Sequence, residues 1–216
     1  MKFLKDYGIN IKKIELVEEA LTHSSYTNEH KGLENYERLE FLGDAVLELI
    51  TSEYFYLNTS YREGEMSKLR SRFVCEQALA YICKNIGIDY YIKLGHGQLH
   101  NLNDTIRADV YEAVLGAIYL DQGYNVAKKF VYDTLIPYIK ENKLFFKDYK
   151  TILQELVQTD RKSLEYVLTS ESGEPHERIF NIDVKIDNIV YGHGSGKSKK
   201  EAEQNAAYDA YLKSVK

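Results

Sequence analysis

The chain carries, at residues 37–50, the stretch ERLEFLGDAVLELI. Its apolar residues recur at intervals of three and four, which predicts an amphipathic helix. At about 100° per residue, the carboxylates of Glu37, Glu40 and Asp44 fall within one sector of about 60° on that helix. The opposite side is apolar and carries Leu39, Leu42, Val46, Leu49 and Ile50. The stretch therefore predicts a helix with an acidic stripe beside an apolar face.

A second stretch, DVYEAVLG at residues 109–116, repeats this arrangement. Asp109 and Glu112 lie one helical turn apart, and the small residues Ala113 and Gly116 beside them allow another helix to approach closely. If the two helices face each other, four carboxylates form an all-oxygen site for a hard divalent cation such as Mg²⁺ or Mn²⁺. The four are Glu40, Asp44, Asp109 and Glu112. Acids three residues apart are also typical of a solvated helix face, and spacing alone leaves both interpretations open.

The overall composition excludes several classes of protein. The 216 residues include 28 basic and 33 acidic ones, a net charge of −5, which argues against a non-specific nucleic-acid coat. The longest nearly apolar stretch, residues 113–120, is much shorter than the about 20 residues of a membrane-spanning helix. Residues 1–6 show no secretory signal, so we expect a cytoplasmic protein with no membrane contact. Cys75 and Cys83 are too few for a zinc site and are expected to be reduced thiols.

In the first two thirds of the chain, the apolar residues are spaced as in α-helices. Apolar residues recur at helical intervals from residue 16 to about residue 140, with turn-forming clusters between them, which predicts a bundle of helices. Residues 140–147, KENKLFFK, are short, charged and aromatic, and we place a linker there.

Beyond this linker the pattern changes to a helix, three strands and a helix. The first helix is predicted at residues 149–158, and the strands at 164–168, 179–186 and 189–191. Ser198 and Glu201 form a capping box ahead of an alanine-rich last helix. The predicted fold class is therefore two domains. Residues 1–146 form an all-α domain and residues 147–216 a small α+β domain of order α-β-β-β-α.

Two features of the second domain suggest contact with a polyanion. The first helix has a polar stripe formed by Thr151, Gln154, Glu155 and Gln158. Lys197, Lys199 and Lys200 precede or open the last helix, whose N-terminus also favours phosphate. A polar stripe and a lysine cluster are each also typical of a solvated helix surface.

Several motifs carry a family resemblance. Residues 37–47, ERLEFLGDAVL, resemble the signature of the ribonuclease III family, whose members cleave double-stranded RNA. Further matches follow in the family's order, with LTHSS at 21–25, EGEMSKLR at 63–70 and ADVYEA at 108–113. GSGKSKKEA at 194–202, within the α-β-β-β-α pattern, resembles the double-stranded RNA-binding domain. The resemblance covers essentially the whole chain in the bacterial two-domain arrangement.

The resemblance implies roles for the acids. Glu40, Asp109 and Glu112 match magnesium ligands, and Asp44 matches a catalytic acid that also organises the metal site. Glu112 matches both a ligand and a catalytic residue. Glu37 and Glu63 match functional acids whose roles stay open between orienting water, RNA or a partner subunit. The implied cofactor is Mg²⁺, with Mn²⁺ as a substitute and no small-molecule cofactor.

The resemblance also implies how RNA is bound and cut. The three lysines would bind phosphates across the major groove. The first-helix stripe and the turn at His176 would reach two successive minor grooves and their 2′-hydroxyls. A homodimer would cut ribosomal RNA precursors and structured messenger RNA, leaving 5′ phosphate and 3′ hydroxyl ends.

Two other functions stay open from the residues alone. The first is a double-stranded RNA-binding regulator that does not cut. The second is a metal phosphohydrolase acting on small nucleotides. The lysine cluster argues against the phosphohydrolase, because a small substrate needs no second module.

Overall fold

A computed structural model of the protein describes residues 1–99, 101–141, 149–150, 153–154, 157, 162–173 and 178–214. Internal contacts divide the chain into two compact units, Met1–Phe145 and Phe146–Lys216. The predicted domain boundary at residues 146 and 147 lies outside the described residues and stays a prediction. In the described ranges, none of the helices is both long enough and apolar enough to cross a membrane.

The first unit is built from helices, as predicted. They are α1 (Lys2–Asp6), α2 (Ile14–Ala20), α3 (Ser24–Glu29), α4 (Glu37–Asn58), α5 (Glu63–Phe73), α6 (Glu76–Asn85), α7 (Asp104–Gln122), α8 (Tyr124–Thr134) and α9 (Ile136–Lys140). Short 3₁₀ turns at Asp89–Tyr91 and His96–Gln98 lead from α6 to α7.

Helices α4 and α7 pack against each other in the centre of this unit. Leu47 and Ile50 of α4 and Val110 and Val114 of α7 are fully buried. The predicted apolar face of α4 is correct except at Leu49, whose side chain is 57% exposed. Leu49 lies at the edge of the apolar sector, turned away from the side that packs on α7.

Two glycines set the distance between α4 and α7. A Cβ at Gly43 would overlap the backbone carbonyl of Glu112, and a Cβ at Gly116 would overlap the carbonyl of Leu39. The two backbones are therefore in direct contact, which confirms the prediction that small residues on α7 allow a close approach. Alanine at either position would force the helices apart.

The second unit contains a three-stranded antiparallel sheet and a long helix. The strands are β1 (Leu164–Ser172), β2 (Ile179–Ile186) and β3 (Ile189–Gly196), in that order across the sheet. They are followed by α10 (Lys199–Ser214). The predicted first helix is helical at residues 149–150, 153–154 and 157, and its other positions lie outside the described residues.

Two strands are longer than predicted, since β1 continues beyond Leu168 to Ser172 and β3 beyond Tyr191 to Gly196. Gly192, Gly194 and Gly196 all lie within β3. A Cβ on Gly192 or Gly194 would overlap the backbone of α10 at Ala206. Glycine is present here because the helix backbone lies directly on the sheet.

The start of α10 differs in one detail from the predicted capping box. The Glu201 N–H donates to the Ser198 hydroxyl at 3.2 Å, as expected. The Glu201 carboxylate accepts from the backbone N–H of Lys197, one residue before Ser198, at 2.7 Å. The reciprocal bond is therefore shifted by one position, and it ties the lysine segment to the helix.

Candidate active site

The crossing of α4 and α7 brings four predicted acids into electrostatic contact. Glu40 and Asp44 flank Gly43 on α4, while Asp109 and Glu112 precede Gly116 on α7. Asp44, Glu40 and Asp109 all act on the Glu112 carboxyl as nearby like charges. The structure therefore places all four in one cluster, here called the acid cluster.

Burial and mutual repulsion raise the pKa values in the acid cluster. Burial, followed by the charges of Asp44, Glu40 and Asp109, raises the pKa of Glu112 to about 8. Burial, with Asp109 next, raises the pKa of Glu40 to about 7. Burial also raises the pKa values of Asp44 and Asp109. At neutral pH the cluster therefore retains protons that a bound cation would displace.

The donor set fits a hard divalent cation. Its members are all carboxylates, and their repulsion is the kind of electrostatic cost that a cation offsets. Within the described ranges, however, no three acid, histidine or cysteine side chains are arranged as a finished ligand set. Ligation by Glu40, Asp44, Asp109 and Glu112 therefore stays a prediction.

Two further residues act on the acid cluster, Tyr36 through a hydrogen bond and Arg70 through its charge. The Tyr36 hydroxyl donates a hydrogen bond to Asp109 Oδ2 at 3.0 Å. Arg70 of α5 donates from Nη1 to the Ser52 hydroxyl at 2.8 Å, and its charge lowers the pKa of Asp44, against the larger effect of burial. Neither Tyr36 nor Arg70 was predicted from the sequence to belong to the site. Tyr36 and Asp109 are 73 positions apart, so no periodicity within a helix connects them.

The two remaining predicted acids differ in their relation to the acid cluster. Glu37, exposed at the first position of α4, contributes to the raised pKa of Glu40. Glu63 opens α5, accepts a hydrogen bond from the Ser67 hydroxyl at 3.0 Å, and lines a groove between α4 and α5. Among the residues described here, no hydrogen bond or ion pair links Glu63 to the acid cluster. The functional roles of both acids stay predictions.

Four of the predicted RNA-binding residues lie within the part of the chain that the structure describes. Lys197, Lys199 and Lys200 are exposed at the start of α10, and Lys199 Nζ lies 5.9 Å from the centre of the Phe180 ring. Gln154 is exposed on the first helix of the unit. The other predicted contacts lie outside the described residues, namely Thr151, Glu155, Gln158 and His176.

Comparison with known proteins covers both units. Residues 13–139 match the ribonuclease-III-like family, and residues 149–214 match the double-stranded RNA binding motif. Ribonuclease 3 of Streptococcus agalactiae is 44% identical over 217 residues, covering 97% of this chain and 95% of the relative. The chain belongs to the ribonuclease III family. Ribonuclease 3 of Enterococcus faecalis is 46% identical, with 97% of this chain and 94% of the relative covered.

Solved structures of ribonuclease III agree with this assignment. A structure of the Campylobacter jejuni nuclease domain has a TM-score of 0.58 and 34% identity, covering 63% of this chain and 95% of that domain. A second structure of the same domain has a TM-score of 0.55, also at 34% identity, covering 65% and 93% respectively. Membership confirms the predicted fold class, an all-α nuclease domain followed by an α+β RNA-binding domain. It also confirms the predicted activity, an endoribonuclease (a hydrolase) of double-stranded RNA.

Proposed function

We propose that the acid cluster hydrolyses phosphodiester bonds of double-stranded RNA with a divalent metal ion, Mg²⁺ or in its place Mn²⁺. The observation that supports this most strongly is the convergence of four carboxylates where the backbones of α4 and α7 touch. Burial and mutual repulsion there raise the pKa of Glu112 to about 8 and that of Glu40 to about 7. A divalent cation bound among these carboxylates would offset their mutual repulsion, which is why the acid cluster fits a metal site.

The proposed ligands are Glu40, Asp44, Asp109 and Glu112. A bound divalent ion supplies an activated water and neutralises charge that grows on the phosphoryl oxygens. Glu112 and Glu40, which are half-buried, would hold charge close to the ion, and the exposed Asp44 would remain accessible to substrate. The proposed products carry 5′ phosphate and 3′ hydroxyl ends.

The lysines at the start of α10 are the proposed phosphate contacts. Lys197, Lys199 and Lys200 are exposed together, and two of them are the first residues of a 16-residue helix. Their charge and the helix N-terminus both favour phosphate. Recognition would then follow the A-form shape of the duplex and not its sequence. Thr151, Gln154, Glu155, Gln158 and His176 remain the proposed minor-groove contacts.

We also propose that two copies of the chain form a homodimer through α4. Phe41, Leu49 and Tyr56 are 83%, 57% and 75% exposed and lie on one side of that helix. An exposed apolar stripe of this length is typical of an interface. The related Campylobacter jejuni nuclease domain is described as having a region involved in dimer formation. Sedimentation of the full chain tests this proposal, and a monomer at micromolar concentration would contradict it.

A digestion experiment separates the proposed function from its alternatives. One long duplex RNA is incubated with the full chain, with and without Mg²⁺, and the product ends are sequenced. We expect internal cuts on both strands only when the metal is present. Binding without cutting would favour the regulator, and a chain that neither binds nor cuts the duplex would favour the phosphohydrolase. Ribosomal RNA precursors, structured messenger RNA and a cytoplasmic location remain the proposed biological setting.

A further inference from the structure

Tyr36 lies at the junction between the start of α4 and the acid cluster. Its side chain is only 5% exposed. Its backbone N–H donates to the Thr22 carbonyl, and its carbonyl accepts from the Glu40 N–H, both at 2.9 Å. Its ring also contacts the His23 ring, with centroids 5.7 Å apart. The two backbone hydrogen bonds fix the main chain at Tyr36, and burial and the His23 ring restrict its side chain.

The Tyr36 hydroxyl contacts a proposed metal ligand directly. It donates to Asp109 Oδ2 at 3.0 Å and so joins α4 to α7. The Tyr36 hydrogen bond engages Oδ2 of Asp109 and does not involve Oδ1. Oδ1 is therefore the oxygen through which we expect Asp109 to reach a cation.

We propose that Tyr36 is a positioning residue that fixes Asp109 for metal binding through the hydrogen bond to Oδ2. The inference rests on the proposed metal site. Groups that orient a metal ligand from outside the coordination sphere commonly change metal affinity or activity by about 10–100-fold. A role that is only structural would change the stability of the fold and leave metal affinity unchanged.

The chain offers a matched control for the Tyr36 hydroxyl. Tyr111 of α7 is fully buried, and its hydroxyl shares a hydrogen bond of 2.8 Å with the Thr134 hydroxyl. Tyr36→Phe and Tyr111→Phe each remove one buried hydroxyl and keep the ring. Only the first removes a contact to the acid cluster.

The test measures Mn²⁺ binding to the RNA-free full chain by calorimetry, together with the Mg²⁺ concentration that gives half-maximal cleavage. We expect Tyr36→Phe to weaken Mn²⁺ binding and to raise the Mg²⁺ midpoint, each by about tenfold or more. Excess Mg²⁺ should recover most of the cleavage. Tyr111→Phe should stay within about twofold of the natural chain in both measurements. Thermal unfolding is recorded for both variants.

Three results would overturn the inference. The first is Mn²⁺ binding by Tyr36→Phe equal to that of the natural chain. The second is an equal loss in Tyr111→Phe, which would indicate a general effect of stability. The third is a Tyr36→Phe chain that no longer folds, because loss of one positioning hydrogen bond predicts a folded protein.

Asp109→Asn distinguishes failure of this inference from failure of the proposed function. If Asp109→Asn loses Mn²⁺ binding while Tyr36→Phe retains it, the metal site is supported and only the positioning role is wrong. If Asp109→Asn binds Mn²⁺ like the natural chain, the proposed metal site itself is wrong. In the double variant we expect no loss beyond that of Asp109→Asn, and an additional loss would show that Tyr36 acts elsewhere.

Discussion

Glu112 is the most enclosed carboxyl of the acid cluster, and its protonation couples the site to the stability of the fold. Its pKa of about 8 in the folded chain lies above the ordinary value of 4.5 because of burial and four neighbouring acids. Between these two pH values the folded state binds more protons than the unfolded state. The free energy of unfolding of the metal-free protein should therefore fall as pH rises through this window.

Glu112→Gln should remove this pH dependence. The variant cannot ionise at position 112, so without metal we expect it to be more stable than the natural chain at pH 8. The expected difference is about 1–2 kcal/mol after discounting for partial exposure, and it should shrink towards pH 5. Chemical denaturation in chelator at several pH values measures it. Equal stability of both proteins at pH 8 would show that Glu112 is not held in a repulsive environment.

At the scale of the elements, the contact between α4 and α7 determines the spacing of the acids. Gly43 and Gly116 place the two helix backbones in contact, so that pairs of acids on different helices lie close enough to repel. A change in this contact should therefore alter both stability and the proposed metal site.

Gly43→Ala tests that contact. The added Cβ meets the Glu112 carbonyl, a backbone atom that moves only with its helix, so we expect a loss of stability of about 1–3 kcal/mol. Cleavage should fall further than stability alone explains, because Glu112 shifts with α7. Gly64→Ala is the matched control, since a Cβ there meets nothing within 4 Å. A Gly43→Ala variant with the stability and activity of the control would be inconsistent with the helix contact.

The same elements show how far sequence reasoning extends. Acids within one helix follow its periodicity, so the stripes of α4 and α7 could be predicted, and Gly116 indicated their close approach. Contacts such as Tyr36 with Asp109 or Arg70 with Ser52 depend on packing between elements, which leaves no periodic signal. Strand β3 was predicted to end at Tyr191, and the structure continues it through glycines that the sequence alone does not explain. Gly192 and Gly194 are needed there because the backbone of α10 lies directly on the strand.

At the scale of the molecule, the chain separates cutting from duplex binding into two units. The acid cluster lies wholly within Met1–Phe145, and the exposed lysines lie wholly within Phe146–Lys216. Each function should therefore be testable on its own unit.

Fragments of the chain test this separation. Residues 1–146 should fold, dimerise and cut duplex RNA slowly, because they keep the acid cluster and lack the lysines. Residues 148–216 should bind duplex RNA and cut nothing. Circular dichroism, sedimentation and gel-shift measurements check these outcomes. An unfolded first fragment would show that the predicted boundary is wrong.

A further prediction for the second unit concerns the binding of duplex RNA by Lys199 and Lys200. If each neutralises a phosphate, replacing both with alanine should weaken binding similarly for all duplex sequences. The dependence of log affinity on log salt should become shallower by roughly 1 per lysine. Binding titrations at several salt concentrations measure this, with thermal unfolding as the control for folding. Unchanged affinity and salt dependence in a folded variant would remove both lysines from the RNA interface.

The central claim is that the acid cluster holds the metal that cuts the RNA, and cleavage by Glu112→Gln at millimolar Mg²⁺ tests it most directly. The change keeps the size of the side chain and removes its charge, whereas Glu15→Gln removes an exposed charge of α2 far along the chain from the cluster. We predict that Glu112→Gln binds duplex RNA like the natural chain and loses nearly all cleavage, while Glu15→Gln cuts normally. Retention of most cleavage by Glu112→Gln would contradict the claim.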